Sequence, residues 1–256
     1  PSMNIPRLHT PLPKPVHTSD VPVLTSVQVL AEISSRYDAV ERNISLGTTD
    51  IPLLCVRDSN RLVDAIDSAT FAHDERLPYW ADLWASSIGL AGWCLENNML
   101  SGKKILELGS GLGLAGIAAA LVGADVALTD YEPDALLFAR YNAMRNIPPD
   151  VLTRRVRFQQ LDWRTPGALE KVDLVIAADV AYERRNFSPL LSLIGQVVHP
   201  GGVAVFADPD RSIGREFLAI AQQQYDVTTQ TRTATLNGIT STIVLAEIRP
   251  PIVGHT

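Results

Sequence analysis

The sequence predicts an α/β fold in which a largely parallel, seven-stranded sheet carries helices on both faces. Three observations predict it. Short apolar runs alternate with helical segments through the second half of the chain, as in successive βα units. The first run leads directly into glycines at alternate positions, Gly109, Gly111 and Gly113. The last two runs flank Asn237 and Gly238, a pair typical of an antiparallel hairpin turn.

The predicted strands of the sheet lie near 104–108, 125–129, 156–160, 172–178, 202–207, 225–231 and 240–248. The first five are separated by segments long enough for crossover helices, which include 133–145, so they should run parallel with right-handed crossovers. Only the loop 232–239 separates the last two, which should therefore pair antiparallel.

The N-terminal part of the chain lacks the regular alternation of strands and helices. Residues 1–22 contain six prolines and little apolar periodicity, which predicts an extended or disordered arm. Apolar residues recur at helical spacing over 26–42, and 43–46 and 51–56 read as a hairpin around Gly47. We therefore expect an accessory segment over 23–76 and the main domain over 77–250.

Composition indicates an ordinary globular protein of 256 residues, 46% hydrophobic and 20% charged. Cys55 and Cys94 form no disulfide framework, and the five histidines lack ligand spacing, so we expect no metal. No apolar run approaches the roughly 20 residues that span a bilayer, and the N-terminus lacks a signal-peptide core. These observations favour a cytoplasmic protein without a membrane partner.

Charge argues against one class of partner. The net charge is −6 and the pI is near 5.4, whereas domains that track nucleic-acid phosphates usually carry a basic stripe. An acidic surface is compatible with a cationic acceptor such as a lysine-rich protein. We therefore expect no nucleic acid.

The glycine loop is typical of a nucleotide-type cofactor site. Glycine tolerates positive φ and has no Cβ, so the backbone can turn tightly and approach a ligand. The Ala-rich stretch 114–122 follows, so the loop should open a helix whose N-terminus faces the ligand. Gly111, Gly113 and Gly116 also satisfy the dinucleotide fingerprint, which leaves an NAD oxidoreductase as an alternative.

Glu107 stands two residues before the first glycine. The resulting Glu-x-Gly-x-Gly-x-Gly run resembles motif I of class I S-adenosylmethionine-dependent methyltransferases. The resemblance implies that Glu107 reaches the cofactor's amino group. It also implies that Gly109, Ser110, Gly111 and Gly113 lie under the methionine and ribose.

Two further strand ends supply candidate cofactor contacts. Asp130 ends the second strand, where a carboxylate can accept hydrogen bonds from both ribose hydroxyls, with Tyr131 beside it. The alternative for Asp130 is a cap on the following helix. The third strand leads into Asp162 and Trp163, which resemble the family's adenine site: the indole would cover the ring and the carboxylate would accept from its amine. Core packing is the alternative for Trp163.

The fourth strand, 172–178, is almost entirely apolar and ends in Asp179-Val180-Ala181-Tyr182. Ligands bind beyond the carboxyl ends of parallel strands, so Asp179 and Tyr182 should lie at the mouth of the site. This Asp-x-x-Tyr motif resembles that of the family-16 group, which contains protein-lysine methyltransferases. The resemblance implies that Asp179 orients the acceptor amine, that Tyr182 adds a hydroxyl or a ring wall, and that the Ala178 carbonyl completes the pocket.

An upstream signature contains Trp80 and Trp84, which the i, i+4 spacing places on one face of a helix running to about Asn97. The segment resembles the Pro-aromatic-Trp-x-x-x-Trp helix of the same group, including the branch that methylates the electron-transfer flavoprotein β subunit. That branch has Pro where Ala85 stands here. At least one of these tryptophans should border the cofactor or the acceptor; ordinary core packing is the alternative.

Taken over residues 77–211, the resemblance implies a Rossmann-like sheet of strand order 3-2-1-4-5-7-6, the cofactor S-adenosyl-L-methionine and a protein lysine acceptor. It also implies that Arg211, in a Pro-x-Arg turn, organises its loop. A small-molecule N-methyltransferase shares the same cofactor motifs, so a small-molecule acceptor stays open. A cofactor-binding regulatory protein without transfer activity is a further alternative.

Overall fold

The computed structural model describes residues 24–64 and 77–251. The arm predicted over 1–22 lies outside the described residues. No helix within the two described ranges is long and apolar enough to cross a bilayer.

The N-terminal part contains a helix and a hairpin. The elements are α1 (Ser26–Arg36), β1 (Ala39–Leu46), β2 (Thr49–Val56) and α2 (Asn60–Asp64). Thr25 and Gln28 form a capping box at the start of α1, which fixes its first turn. The hairpin is confirmed, and its strands are longer than expected because only Gly47 and Thr48 lie between them.

The helix predicted over 26–42 is wrong in its second half. Helix α1 ends at Arg36, and Tyr37 already has an extended backbone (φ −132°, ψ 138°). Val40 fits helical spacing in the sequence but pairs with Cys55 across the hairpin. Pairing with β2 therefore overrides the local helical pattern over 37–42.

The remaining elements follow in chain order. They are a 3-10 turn (Tyr79–Ala81), α3 (Ala85–Glu96), a 3-10 turn (Asn98–Leu100), β3 (Lys104–Leu108), α4 (Leu114–Leu121), β4 (Asp125–Asp130), α5 (Pro133–Asn146), α6 (Pro149–Arg155), β5 (Val156–Gln160), β6 (Val172–Ala178), a 3-10 turn (Arg184–Asn186), α7 (Phe187–Val197), β7 (Val198–Asp208), α8 (Ser212–Ala221), β8 (Asp226–Leu236) and β9 (Ile239–Arg249). The sequence missed α6.

The seven-stranded sheet has the order β5-β4-β3-β6-β7-β9-β8. Numbered within this sheet, the order is 3-2-1-4-5-7-6, so the predicted topology is confirmed. Strands β3 to β7 pair parallel, and β9 pairs antiparallel with both β7 and β8. Asn237 (φ 52°) and Gly238 (φ 79°) form the two-residue turn of the last hairpin, as left-handed turn positions require.

Helices cover both faces of the sheet, as predicted. One apolar cluster contains side chains from α1, the hairpin, α3, α4 and α5; the other contains side chains from α7 and α8. Central strand β6 lies between them and is buried on both faces, which explains its continuous apolar run.

Asn142 of α5 joins the hairpin to the glycine loop. Its side chain is fully buried, and Oδ1 accepts a hydrogen bond from the Leu54 amide at 2.7 Å. Nδ2 donates to the Leu54 carbonyl at 3.1 Å and to the Leu112 carbonyl at 3.0 Å. A buried amide with all of these bonds satisfied fixes its neighbours in place, so the N-terminal hairpin helps position the loop 109–113.

The single helix predicted through Trp80 and Trp84 is wrong. Trp80 lies in the 3-10 turn, Asp82 is extended (ψ 148°), and helix α3 begins only after Trp84, which is its N-cap. The Trp84 indole N–H donates to the Tyr79 carbonyl at 3.0 Å and closes this loop. This side-chain to backbone bond replaces a helical turn, so the two indoles do not share a helix face.

Candidate active site

A cavity of about 430 Å³ opens at the carboxyl ends of β3, β4 and β6. Its volume is in the range of small-molecule sites. All predicted site residues line it except Gly113. Gly113 (φ 86°) is instead the N-cap of α4, where a Cβ would lie 3.0 Å from that of Ala139. Its role in this structure is packing between α4 and α5.

The glycine loop forms the floor of the cavity. Gly109 (φ 61°) and Gly111 (φ 51°) adopt left-handed backbone. A Cβ on Gly109 would lie 2.9 Å from Val180 Cγ1, and one on Gly111 would lie 3.3 Å from the Trp80 carbonyl oxygen. These positions therefore require glycine both for conformation and for space.

Asp130 holds the loop in place from the end of β4. Its Oδ2 accepts from the Gly111 amide at 2.9 Å, and its Oδ1 accepts from the Glu132 amide at 2.9 Å. Burial raises the pKa of Asp130 to about 6, although the backbone amides of Glu132 and Gly111 oppose that shift. Asp130 does not cap the following helix, the alternative considered for it, because Glu132 is the N-cap residue of α5 and no side chain among the described residues caps that helix. Each carboxylate oxygen of Asp130 keeps a second lone pair for a ligand.

Glu107 is the more unusual of the two cavity carboxyls. It is only 4% exposed, and Oε2 has no hydrogen-bond partner among the described residues. Burial raises its pKa to about 8; the Gly116 backbone opposes the shift and the charge of Asp130 adds to it. The Ser110 hydroxyl is also buried without a partner in the described chain. Buried polar atoms without partners require an explanation, and for residues that line a cavity a bound ligand is one.

We expect Glu107→Gln to flatten the pH dependence of stability in the ligand-free protein. Folded Glu107 holds its proton up to a pH of about 8, whereas in the unfolded chain it ionises near its ordinary value of 4.5. Stability should therefore fall as pH rises through this window, with a slope of at most about 1.4 kcal/mol per pH unit, and glutamine removes that contribution. Urea unfolding at about pH 6.5 and 8 measures it.

Glu41→Gln is the matched control, because Glu41 is half-exposed and pairs with Arg145 on the surface. The Glu41→Gln protein should show the same dependence of stability on pH as the wild type. An unchanged slope in Glu107→Gln would contradict a protonated Glu107.

The predicted adenine side of the cavity contains Asp162 and Trp163. The Trp163 ring lies 3.5 Å from the place of a Gly109 Cβ, and its Nε1 donates to Asn186 Oδ1 at 3.4 Å. Asp162 accepts from Arg164 Nε and Nη2, each at 2.9 Å, and the Arg164 guanidinium lies over the Tyr131 ring at 5.2 Å. Arg164 and Asn186 were not predicted from the sequence.

Asp179 lines the same cavity and directly follows β6 and Ala178. Its backbone is left-handed (φ 57°), a conformation that Asp tolerates better than most residues, and its amide donates to the Ala207 carbonyl at 3.0 Å. Its side chain is only 8% exposed and forms an ion pair with Arg211. Burial raises the pKa of Asp179, whereas the Ser86 hydroxyl and the Arg211 charge lower it.

Three aromatic residues, Tyr79, Trp84 and Tyr182, line the same cavity as Asp179. The Tyr79 ring meets the Tyr182 ring edge to face at 5.3 Å and the Trp84 ring at 6.1 Å. Burial raises the pKa of Tyr182 to about 12, so its hydroxyl stays protonated at neutral pH. Tyr79 was not assigned from the sequence, because its position depends on the loop that Trp84 closes.

The Trp80 ring has a different environment. It packs against Tyr37 at 5.7 Å and Phe138 at 5.4 Å, joining α1 and α5 to the cavity wall. Core packing, the alternative considered for the tryptophans, thus describes the Trp80 ring, whereas Trp84 lies next to the Tyr79 ring at the cavity. Within the part of the chain that the structure describes, His, Cys, Asp and Glu side chains form no group of three or more that could hold a metal ion.

Comparison with known proteins identifies the same region of the chain. The family model described as lysine methyltransferase matches residues 72–224. EEF1A lysine methyltransferase 3 of Mus musculus is 34% identical over 151 residues, which are 57% of this chain and 62% of that protein. Protein N-lysine methyltransferase METTL21A of Danio rerio is 36% identical over 124 residues, which are 47% of this chain and 56% of that protein.

The chain thus spans about three fifths of the length of the curated relatives it matches. Among solved structures, the N-methyltransferase NodS from Bradyrhizobium japonicum WM9, in complex with S-adenosyl-L-homocysteine, superposes with a TM-score of 0.53. The sequence identity is 16%, and the match covers 75% of this chain and 98% of that chain. This likeness shows the methyltransferase fold. Because the family model covers more than half of the sequence, including the glycine loop and the Asp179 motif, the chain belongs to the lysine methyltransferase family.

Proposed function

We propose that this chain is an S-adenosylmethionine-dependent methyltransferase that methylates lysine side chains of a protein. One observation carries the proposal: the buried carboxyls and the glycine loop face the same cavity as Asp179 and the aromatic wall. One cavity can therefore hold a nucleoside-type cofactor at one end and an acceptor side chain at the other. The names of the relatives, both lysine methyltransferases, support the acceptor class.

The residues present fit S-adenosylmethionine. Glu107 Oε2 is a buried acceptor without a hydrogen-bond partner among the described residues, which suits an amine-bearing ligand, and Gly109 and Gly111 line the cavity without a Cβ. Glu107, Asp130, the loop 109–111 and Trp163 would hold the cofactor. When bound, it supplies a methyl group activated on a positively charged sulfur.

The other end of the cavity fits a lysine side chain. The rings of Tyr79, Trp84 and Tyr182 offer apolar walls for its four-carbon stem. A lysine must become a neutral amine to react, and enclosure by rings lowers the amine pKa in that direction. We assign Asp179 the role of orienting the amine, with the protonated Tyr182 hydroxyl and the Ala178 carbonyl beside it.

The ion pair with Arg211 supports the role assigned to Asp179, because the positive charge of Arg211 neutralises part of the Asp179 charge. A fully uncompensated carboxylate would stabilise the ammonium form of the acceptor and oppose its deprotonation. The paired carboxylate can still accept a hydrogen bond from the amine. The net charge of −6 also favours encounter with a cationic protein. The expected cytoplasmic location and the exclusion of nucleic acid stay predictions from the sequence.

The test is a methyl-transfer assay with radiolabelled S-adenosylmethionine on cell extract, separated into protein and small molecules. Wild type and Asp179→Ala are run side by side, and mass spectrometry locates the modified residue. We expect label on a lysine of one discrete protein band, stable to mild base and lost in the variant. Label only in the small-molecule pool would contradict the protein acceptor, and label on another residue type would contradict lysine.

A non-catalytic role gives a distinct result. Cofactor binding without label in either pool would contradict the enzymatic assignment altogether.

A further inference from the structure

Arg211 connects two carboxylates at the acceptor end of the cavity. Its Nη2 donates to Asp208 Oδ2 at 2.7 Å and also to Asp179 Oδ1. Asp208 is the last residue of β7, and Asp179 directly follows β6, its parallel neighbour. The guanidinium thus bridges the ends of two adjacent strands.

The bridge is held from the β7 side independently of Asp179. Asp208 Oδ1 accepts from the Arg211 backbone amide at 2.9 Å, and Oδ2 also accepts from Nε at 3.3 Å. Gly214 in the first turn of α8 packs directly onto this carboxylate, since a Cβ there would lie 2.6 Å from Asp208 Cγ. Asp208 therefore fixes the Arg211 side chain, and Arg211 in turn meets Asp179.

We propose that Arg211 is a positioning residue for the proposed reaction: as the internal counter-ion of Asp179, it fixes the orientation of that carboxylate at the acceptor end of the cavity. The inference rests on the proposed function for its kinetic consequence. It goes beyond a role in organising the Pro-x-Arg turn, because Arg211 then acts on the group that meets the acceptor.

The surroundings of Asp179 define what Arg211 contributes. The groups that face its carboxylate are Ser86 from α3, Arg211 from the start of α8 and Asp208 from β7. Ser86 Oγ and Asp179 Oδ2 are both buried, and neither meets a partner at hydrogen-bond geometry among the described residues. Burial and Asp208 raise the pKa of Asp179, whereas Ser86 and Arg211 lower it, and Arg211 is the one cation among these three groups.

The cluster also retains an excess of negative charge. Two carboxylates, Asp179 and Asp208, share one guanidinium, which leaves a formal charge of −1 at the acceptor end. A cationic side chain that enters the cavity completes the balance without displacing Arg211 from Asp208. The arrangement thus favours a basic acceptor over a neutral one.

The first test measures Asp179 directly by a carbon NMR titration of ¹³C-carboxyl-labelled aspartate, assigned with Asp179→Asn. We expect Arg211→Gln to raise the pKa of Asp179 by about one to three units, the range that loss of an adjacent opposite charge produces. Arg211→Lys keeps the charge and should recover most of the shift. Arg211→Met keeps the apolar stem and gives the same measurement should the Gln variant fail to fold.

Arg215→Gln is the matched control. Arg215 lies in α8, one turn after Arg211, and pairs with Asp210 at 2.8 Å. Arg215→Gln therefore removes the same charge without removing a group that faces Asp179. It should leave the pKa of Asp179 within about 0.3 unit of the wild type, well below the shift expected for a direct partner. Equal Asp179 titrations in the Arg211→Gln and Arg215→Gln proteins would overturn the inference.

The kinetic test uses the acceptor protein found in the extract assay. In Arg211→Gln, the acid limb of kcat/KM should move to higher pH by the same amount as the Asp179 titration, whereas Arg215→Gln should keep the wild-type profile. A lower rate with an unmoved profile would show a structural role only and overturn the inference. Failure of the wild type to label any protein contradicts the proposed function instead, and the NMR titration separates the two failures.

Discussion

Asp179→Asn is expected to lower kcat by about 100-fold or more while the cofactor affinity stays within about twofold, because the change removes a charge aimed at the acceptor. Asparagine has nearly the same shape and also tolerates the left-handed backbone (φ 57°) of this position. Arg211 keeps Asp208 as its partner in the variant. Steady-state kinetics on the labelled acceptor and a calorimetric cofactor titration measure the two effects separately.

Asp210→Asn is the control that matches this change most closely. Asp210 has the same left-handed backbone (φ 58°) and also pairs with an arginine, Arg215, but its side chain is 49% exposed and does not line the cavity. It should keep kcat within about twofold, as surface substitutions usually do. An equal loss of kcat in both variants would show that the loss does not depend on the position of Asp179 in the cavity. That result would contradict a role for Asp179 at the acceptor.

The sheet could be predicted almost completely from the sequence, because its central strands are buried on both faces. Strand β6 reads as an unbroken apolar run for this reason, and β3 reads similarly up to the glycine loop. Strand order came from the family resemblance, since periodicity carries no information on which strands are neighbours. Most cavity residues were also predictable, because the carboxyl ends of parallel strands meet at one edge.

The errors occurred where a single hydrogen bond or strand pairing decides the backbone. Trp80 and Trp84 satisfy helical spacing, yet the bond from the Trp84 indole to the Tyr79 carbonyl selects a 3-10 turn and an extended stretch. The α1 prediction likewise ran into a strand whose partner, β2, is specified further along the chain. Neither competing interaction is visible in a local pattern.

Contacts between distant loops were the part of the site that the sequence could not show. Arg211 was expected to organise its own turn, but its contact with Asp179 joins residues 32 positions apart. The Asn186 contact with Trp163 and the Tyr79 contact with Tyr182 are of the same kind. Each depends on loop conformations that only the assembled fold determines. The Asn186–Trp163 contact shapes the predicted adenine side of the cavity, and the other two contacts shape the acceptor end.

Gly109→Ala is expected to weaken cofactor binding at least tenfold and to lower the free energy of unfolding by about 2 to 5 kcal/mol. The backbone at φ 61° costs an L-residue about 1–2 kcal/mol, and the new Cβ, 2.9 Å from Val180 Cγ1, adds about 1–3 kcal/mol of overpacking. Relief of that contact would move the loop or Val180, both of which line the cavity. Urea unfolding without ligand and calorimetric titration with S-adenosylmethionine give the two quantities.

Gly167→Ala separates the two causes, because Gly167 has nearly the same backbone (φ 66°) but no atom within 4 Å of the place of a Cβ. It should lose only the conformational part, about 1–2 kcal/mol, and bind cofactor as the wild type does. The double variant Gly109→Ala/Val180→Ala makes room for the new Cβ and should recover part of the affinity. Equal cofactor affinities in the Gly109→Ala and Gly167→Ala proteins would contradict the claim that cofactor binding depends on the absence of a Cβ at Gly109.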